Sequence, residues 1–263
     1  MLSDQPLITA SRQRSASPII AVAVALTGLL SCGHARAVPL QSAVEEVTVQ
    51  TVGNAIHYRG PITADGLRAL GVSDLAVAQD ISWLVIDSAG GEVNLAMDLG
   101  DWVYANQLNV RITDRCLSAC ANYVFSAAQV KVIEPGAIVA WHGSAIQSDV
   151  ASRMAITDII DRDILPHTAA AKRAAVKQKL IAQTLDYLAR ARSRQSRFFA
   201  KIGVDERITT LGEDHPAVRD FWFLSVAVMA GFGIDLVVAP SDYAHTDTTR
   251  FGDGAIVYLE MRP

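Results

Sequence analysis

The segment Ile81-Ser-Trp-Leu-Val-Ile-Asp87 is almost continuously apolar, ends in Ser88-Ala-Gly90-Gly91, and opens onto Val93, Met97, Gly100 and Tyr104 at helical spacing. A short apolar run closed by glycines suits a strand buried on both faces, and the spacing that follows suits an amphipathic helix. The pattern then repeats. Leu108 to Thr113 supplies a second strand, Arg115-Cys-Leu-Ser-Ala-Cys120 a tight junction, and Ala121 to Ala128 an apolar helix rich in small residues. Recurring strand–turn–helix units predict an α/β fold with a largely parallel sheet.

Flanking segments extend this scheme. Glu45 to Thr51 and Ala55 to Tyr58 read as strands around a Gly53-Asn54 turn, and Pro61 to Asp80 as a turn entering a helix. Gln129 to Ile133 and Ala137 to Trp141 read as strands about Pro135-Gly136, the second ending at His142. Residues 149–201 change character: eleven Lys plus Arg among many Ala and Leu predict long helices, read as a solvated helical arm. Its basic cluster from Arg190 to Arg197 also suits an acidic partner, a substrate tail or a membrane surface. Gly203 to Pro216 is a polar connection. Phe221-Trp-Phe-Leu224 leads into a short helix over Ser225 to Ala230, and Leu236 to Val238 and Ala255 to Glu260 close the chain as strands.

With 263 residues, 51% of them hydrophobic and 19% charged, the chain is long enough to bury a substantial core. A net charge of -4 lacks the basic excess of a dedicated nucleic-acid binder, so no nucleic-acid partner is expected. The three cysteines and six histidines contain no Cys-x-x-Cys or His-x-x-x-His spacing, and no metal or other cofactor is expected. Asp242, His245, Asp247 and Asp253 are spaced as a solvated loop rather than as a cation site.

The first residues carry Arg12 and Arg14, an uncharged run from Pro18 to Cys32, and Ala35-x-Ala37. That order is the one of a secretory signal, so residues 1–37 are expected to be removed and 38–263 to form the folded domain in the periplasm or outside the cell. Two alternatives keep the protein at a membrane: an uncleaved N-terminal segment, or lipidation at Cys32 after Leu29-Leu-Ser. Cleavage would remove Arg12, Arg14, Arg36 and Asp4 from the 23 basic and 27 acidic side chains, leaving a net charge of -6. It would also leave Cys116 and Cys120 as an even pair where oxidation is permitted.

A serine hydroxyl needs a base, a group that orients the base, and donors for a developing oxyanion. Ser118 lies between a strand and a helix, where the next backbone N–H groups are still unpaired. His142 follows the next strand pair, and Gly90 and Gly91 allow close backbone approach. These groups fall at the carboxyl ends of successive strands, where open α/β sheets bind ligands. Each alone has an ordinary structural explanation, since a serine at a helix start is commonly an N-cap. If Cys116 to Cys120 turns like a helix, its α-carbons fall within the disulfide range of about 4.4 to 6.8 Å and a bridge would brace Ser118; two packed thiols are the alternative. Nucleophilic cysteine chemistry would leave Ser118 unexplained. His57, His167 and His215 receive no role.

Ser88-Ala-Gly-Gly91, Cys116-Leu-Ser-Ala-Cys-Ala-Asn-Tyr-Val-Phe-Ser-Ala-Ala128 and Pro135-Gly-Ala-Ile-Val-Ala-Trp-His142-Gly together resemble the proteolytic subunit of Clp protease, and more closely its exported bacterial relatives with a Cys-x-Ser-Ala-Cys element. The resemblance covers roughly residues 80–145, with a thinner echo from Phe223-Leu-Ser225 to Gly233-Ile-Asp235. It implies a ClpP/crotonase-like spiral of ββα units, here with an added helical arm, and serine peptidase chemistry. It implies Ser118 as nucleophile, His142 as general base, and the Gly91 and Ala119 N–H groups as the oxyanion hole. For the third member it points to Asp220, although a direct overlay on Phe-Leu-Ser places Phe221 there and Asp220 fits after a one-residue slip; Asp186, Asp205 and Asp214 are rivals.

It further implies peptide or unfolded-protein substrates and assembly into homo-oligomers. Export separates the chain from a cytoplasmic unfoldase, so small or already unfolded substrates, or a dedicated membrane partner, are expected. A non-catalytic oligomeric scaffold that keeps this fold is the alternative. Acyl-CoA chemistry of the crotonase kind is disfavoured, because export removes the coenzyme.

Overall fold

The computed structural model describes residues 46–72, 80–144, 146, 153–213, 215–218, 220–252 and 255–261. The expected signal segment, Cys32, Asp214 and Asp253 lie outside them. The architecture is mixed α/β, with alternating strands and helices and one large helical arm.

Strands β1 (Thr48–Val52) and β2 (Ala55–Arg59) form the hairpin expected around Gly53-Asn54, antiparallel with Val52 opposite Ala55. Every later pairing in the main sheet is parallel. β2 lies beside β3 (Trp83–Ser88), β3 beside β4 (Asn109–Leu117), and the outer strands are β5 (Lys131–Ile133) and β8 (Val237–Val238). Two helices make the early connections. α1 (Ala64–Leu70) starts at Thr63, whose hydroxyl accepts from the Gly66 N–H, and stops at Gly71 in the left-handed region at φ 72°. α2 (Val93–Ala105) starts at Glu92, whose carboxylate accepts from the Leu95 N–H, and buries the stripe of Ala96, Met97, Leu99, Gly100 and Val103.

Two differences from the sequence expectation bear on the site. The second strand does not stop near Thr113. β4 continues to Leu117 and changes neighbour on the way, pairing with β5 through Val110 to Ile112 and with β6 (Ile138–Ala140) through Arg115 to Leu117. The apolar helix that follows is wound in π fashion over Cys120–Phe125, and the Ser126 hydroxyl donates to the Ala121 carbonyl, five residues back, at 3.0 Å. All six residues of the π turn are buried.

Beyond β6 the chain reaches α3 (Arg153–Ile159) and then α4 (Arg173–Ile202), a helix of 30 residues. The arm is not solvated throughout. Ile156, Ile160 and Ile181 make a small separate apolar cluster, whereas Ala191, Gln195, Phe198 and Phe199 are buried, with both phenylalanines in the main core. Phe198 meets Tyr123 of the π turn edge-on at 5.5 Å, and Arg194 donates to the Asn94 carbonyl and to Asp98 of α2. Within the basic cluster Arg194 thus turns inward to the α2 seam, whereas Arg190 and Arg197 bond to Asp186 and Ser193 of α4 itself.

A second, two-stranded parallel sheet is made of β7 (Phe221–Phe223) and β9 (Ile256–Tyr258). It is joined to the main sheet by an antiparallel bridge in which the N–H groups of Trp141 and Trp222 each donate to the other's carbonyl at 2.8 Å. α5 (Val226–Gly231) follows, capped by the Ser225 hydroxyl. Among the described residues, no helix is long and apolar enough to cross a membrane.

Phe199, 1% exposed, and Met154, 74% exposed, lie on the two parts of the arm. Phe199→Ala is expected to lower unfolding free energy by about 3–5 kcal/mol through lost burial and a residual cavity. Met154→Ala is expected to stay within about 0.5 kcal/mol. Urea unfolding of both variants checks the difference.

Candidate active site

Ser118 stands where β4 gives way to the π turn, with a positive φ of 56°. A left-handed backbone at a residue with a β-carbon costs about 1–2 kcal/mol and persists only where the surroundings impose it. Those surroundings are specific. The Ser118 N–H donates to the Ala140 carbonyl of β6 at 3.0 Å, and its own carbonyl accepts from the Asn122 N–H at 2.9 Å. A disulfide joins Cys116 to Cys120 across the turn, with α-carbons 5.2 Å apart. Gly90, at φ 96°, packs directly on it: a β-carbon there would lie 2.7 Å from the Leu117 carbonyl oxygen and 2.9 Å from Ser118 Cβ.

This geometry aims the hydroxyl at an imidazole. Ser118 Oγ lies 2.6 Å from His142 Nε2, within the reach required between a nucleophile and its base. His142 follows β6, whose pairing with Arg115 to Leu117 delivers it to the same end of the sheet as Ser118. The Trp141–Trp222 bridge sets Phe221 across from His142, and the rings stack with centroids 4.5 Å apart and planes 16° from parallel. Phe221 therefore covers the imidazole face, and the preceding residue reaches its other nitrogen: Asp220 Oδ1 lies 3.8 Å from Nδ1. That is an ion-pair distance rather than a hydrogen bond, and Nδ1 is buried with no hydrogen-bond partner among the described residues.

The structure therefore brings Ser118, His142 and Asp220 together in the arrangement of a catalytic triad. The rivals within the described residues are engaged elsewhere: Asp186 pairs with Arg190 on α4, and Asp205 caps the following turn and binds Arg207.

Gly91 and Ala119 lie beside this cluster. The Ile62 N–H donates to the Gly90 carbonyl at 2.8 Å and the Glu92 N–H to the Ile62 carbonyl at 3.4 Å. In a parallel pairing this leaves the Gly91 N–H directed away from Ile62, and a β-carbon at Gly91 would fall 2.2 Å from the Ile62 oxygen. Ala119 N is 3.1 Å from where a Gly90 β-carbon would be, so the glycine turn and the start of the π turn are in contact.

Supporting residues escaped the sequence reading. Asn122, 2% exposed, donates from Nδ2 to the Gly143 carbonyl at 3.0 Å. Beside Gly91, Glu92 accepts from Tyr187 of α4 as well as from Leu95 and Asn94. Burial alone would raise the Glu92 carboxyl, but these hydrogen bonds outweigh it and hold the group below its ordinary value. No short-range signal marks these contacts, because the partners are 21 and 95 residues apart. A groove lined by Val226, Val237, Val238 and Ala239 contains none of the site residues. Among the described residues, no cluster of His, Cys, Asp and Glu is placed to hold a metal ion.

No family model and no curated protein matches the chain.

Gly90→Ala is expected to displace Leu117 and Ser118 and to cost about 1–3 kcal/mol. Gly53→Ala, also at positive φ but with nothing within 4 Å, is expected to cost only the left-handed backbone term of about 1–2 kcal/mol, a term that Gly90→Ala carries in addition to its clashes. Chemical denaturation of the pair checks this. Because the folded Glu92 carboxyl is held low, its contribution is complete above the ordinary glutamate range and disappears as pH falls through the folded value. Tyr187→Phe is expected to lower stability at neutral pH and to flatten the acid limb of a stability-versus-pH curve.

Proposed function

We propose that the protein is an exported serine peptidase of the Clp-protease-like kind, acting on peptides or unfolded chains without a cytoplasmic unfoldase. The observation that carries this reading is the 2.6 Å contact between Ser118 Oγ and His142 Nε2, made by a serine held in the left-handed region at a strand–helix turn. In the proposed reaction His142 takes the Ser118 proton as Oγ attacks a peptide carbonyl. The alkoxide of the tetrahedral intermediate is received by the Gly91 and Ala119 N–H groups, and the imidazolium then protonates the departing amine. Asp220 holds the ring with Nδ1 protonated and Nε2 free to accept, and Phe221 shields its face. Water then attacks the acyl-enzyme, again with His142 as base, and restores Ser118.

Export is supported by the basic, apolar and small-residue order of residues 1–37 and by the disulfide around Ser118, a bond that persists in oxidising compartments. The spiral of ββα units and ring-like self-association belong to the same proposal and rest on the motif resemblance. A non-catalytic scaffold is the second reading, favoured by the 3.8 Å gap between Asp220 and Nδ1.

Fluorophosphonate labelling tests the proposal. The wild-type protein should be labelled, Ser118→Ala not at all, His142→Ala about 10²–10⁴-fold more slowly, and Asp220→Asn about 10–10³-fold more slowly. Equal labelling of Ser118→Ala overturns the peptidase reading; full biological complementation by Ser118→Ala supports the scaffold.

A further inference from the structure

The arm helix places one polar side chain at the back of the site. Gln195 is 0% exposed, and its buried neighbours on α4 are Ala191, Phe198 and Phe199. A buried amide is costly unless its hydrogen bonds are made, and an apolar residue would fill the same space. Here they are made. Gln195 Oε1 accepts from the Tyr123 hydroxyl at 2.7 Å, and Nε2 donates to the Ser144 hydroxyl at 3.1 Å, with Glu206 Oε2 at 3.5 Å. Ser144 in turn lies 2.9 Å from the Thr209 hydroxyl.

The identities of these partners matter more than their number. Tyr123 is on the π turn that begins just after Ser118, and Ser144 is two residues beyond His142. Past the Trp141–Trp222 bridge, residues 142–144 belong to no strand, and Gly143 turns the chain at φ 119°. Side chains hold this segment where a sheet ladder does not. Asn122 ties the π turn to the Gly143 carbonyl, and the next residue, Tyr123, ties it to Ser144 through Gln195.

We infer that Gln195 is a positioning residue for the Ser118–His142 pair, through which the docked half of α4 sets the alignment of base against nucleophile. This rests on the hydrolase reading above. Turning or sliding α4 would break both hydrogen bonds of the Gln195 amide together, so the docking of the arm and the alignment of the site are tied. The helix that the sequence presents as a solvated attachment is thereby part of the catalytic frame.

Two variants test this on the full chain. Gln195→Met keeps the volume and removes both bonds; Ser144→Ala removes one partner with little change in packing. Each is expected to slow fluorophosphonate labelling by about 10- to 100-fold, the scale of a small misplacement, and in the double variant the losses should not multiply. The independent readout is the ¹⁵N resonance of His142 Nε2, assigned by its absence in His142→Ala. Ser118→Ala should move this resonance, and both variants should move it the same way. Should the variants keep the wild-type resonance and label within twofold of the wild type, or their effects multiply fully, the inference is overturned. It is equally overturned where Ser118→Ala leaves the resonance in place, since there is then no contact to position. Absence of labelling in the wild type defeats the hydrolase reading instead, and the resonance still decides the role of Gln195.

Discussion

The site depends on the lack of a side chain at Gly90. With no β-carbon there, the turn that follows β3 lies against Leu117, Ser118 and the Ala119 nitrogen at distances that a methyl group would violate. That contact holds the glycine turn against the turn in which Ser118 occupies the left-handed region. A cost of about 1–2 kcal/mol at Ser118 is offset by the hydrogen bond to Ala140 and the one from Asn122. The Cys116–Cys120 bridge closes the same five residues from the other side. The position of Ser118 is therefore set by backbone packing, and the hydroxyl follows.

His142 is delivered by the way β4 changes partners. Its first half pairs with β5 and its second half with β6, so the chain leaves β6 at the end of the sheet where Ser118 emerges. The Trp141–Trp222 bridge then joins the two sheets and brings Phe221 and Asp220 to the far side of the imidazole. The Ser118–His142 contact arises just past the paired ends of β4 and β6, strands of one parallel sheet whose ladder leads the chain into both residues. The His142–Asp220 approach spans a junction between sheets. The tight contact at 2.6 Å and the looser one at 3.8 Å follow that difference in support.

The same distinction separates what could be read in the sequence from what could not. Ser118, His142, Gly90 and Gly91 lie at turns that apolar runs and glycines place, and although each signal alone has an ordinary structural explanation, their order along the chain points to a site. Asp220 was ambiguous by one residue, because the Phe-Leu-Ser overlay falls on Phe221. The structure gives Phe221 its own part, stacked on the imidazole, and the carboxylate arrives from the neighbouring position. The extension of β4, the π winding and the burial of Gln195 left no such mark. Gln195 lies in a stretch whose Arg and Lys content suits a solvated face, and its partners are 72 and 51 residues away. Only packing of α4 on α2 and the π turn decides which face is inward.

The 3.8 Å separation also indicates which group would have to move to complete the triad. His142 is fixed at three points: Ser118 at Nε2, Phe221 on its face, and the backbone bridge at Trp141. Its Nδ1 is buried without a hydrogen bond among the described residues, and an unsatisfied buried polar group costs about 1–3 kcal/mol. The Asp220 side chain is more exposed than the ring, at 28% against 14%. Its backbone is restrained from the next residue onward, where the Phe221 N–H donates to the Ala255 carbonyl at 2.9 Å. Rotation of the aspartate side chain is therefore the movement that would close the gap, and the gain would come from the buried nitrogen it reaches. On the proposed peptidase function, a peptide lying over the site would favour that rotation by excluding the water that solvates the carboxylate, and substrate binding would be coupled to completion of the triad.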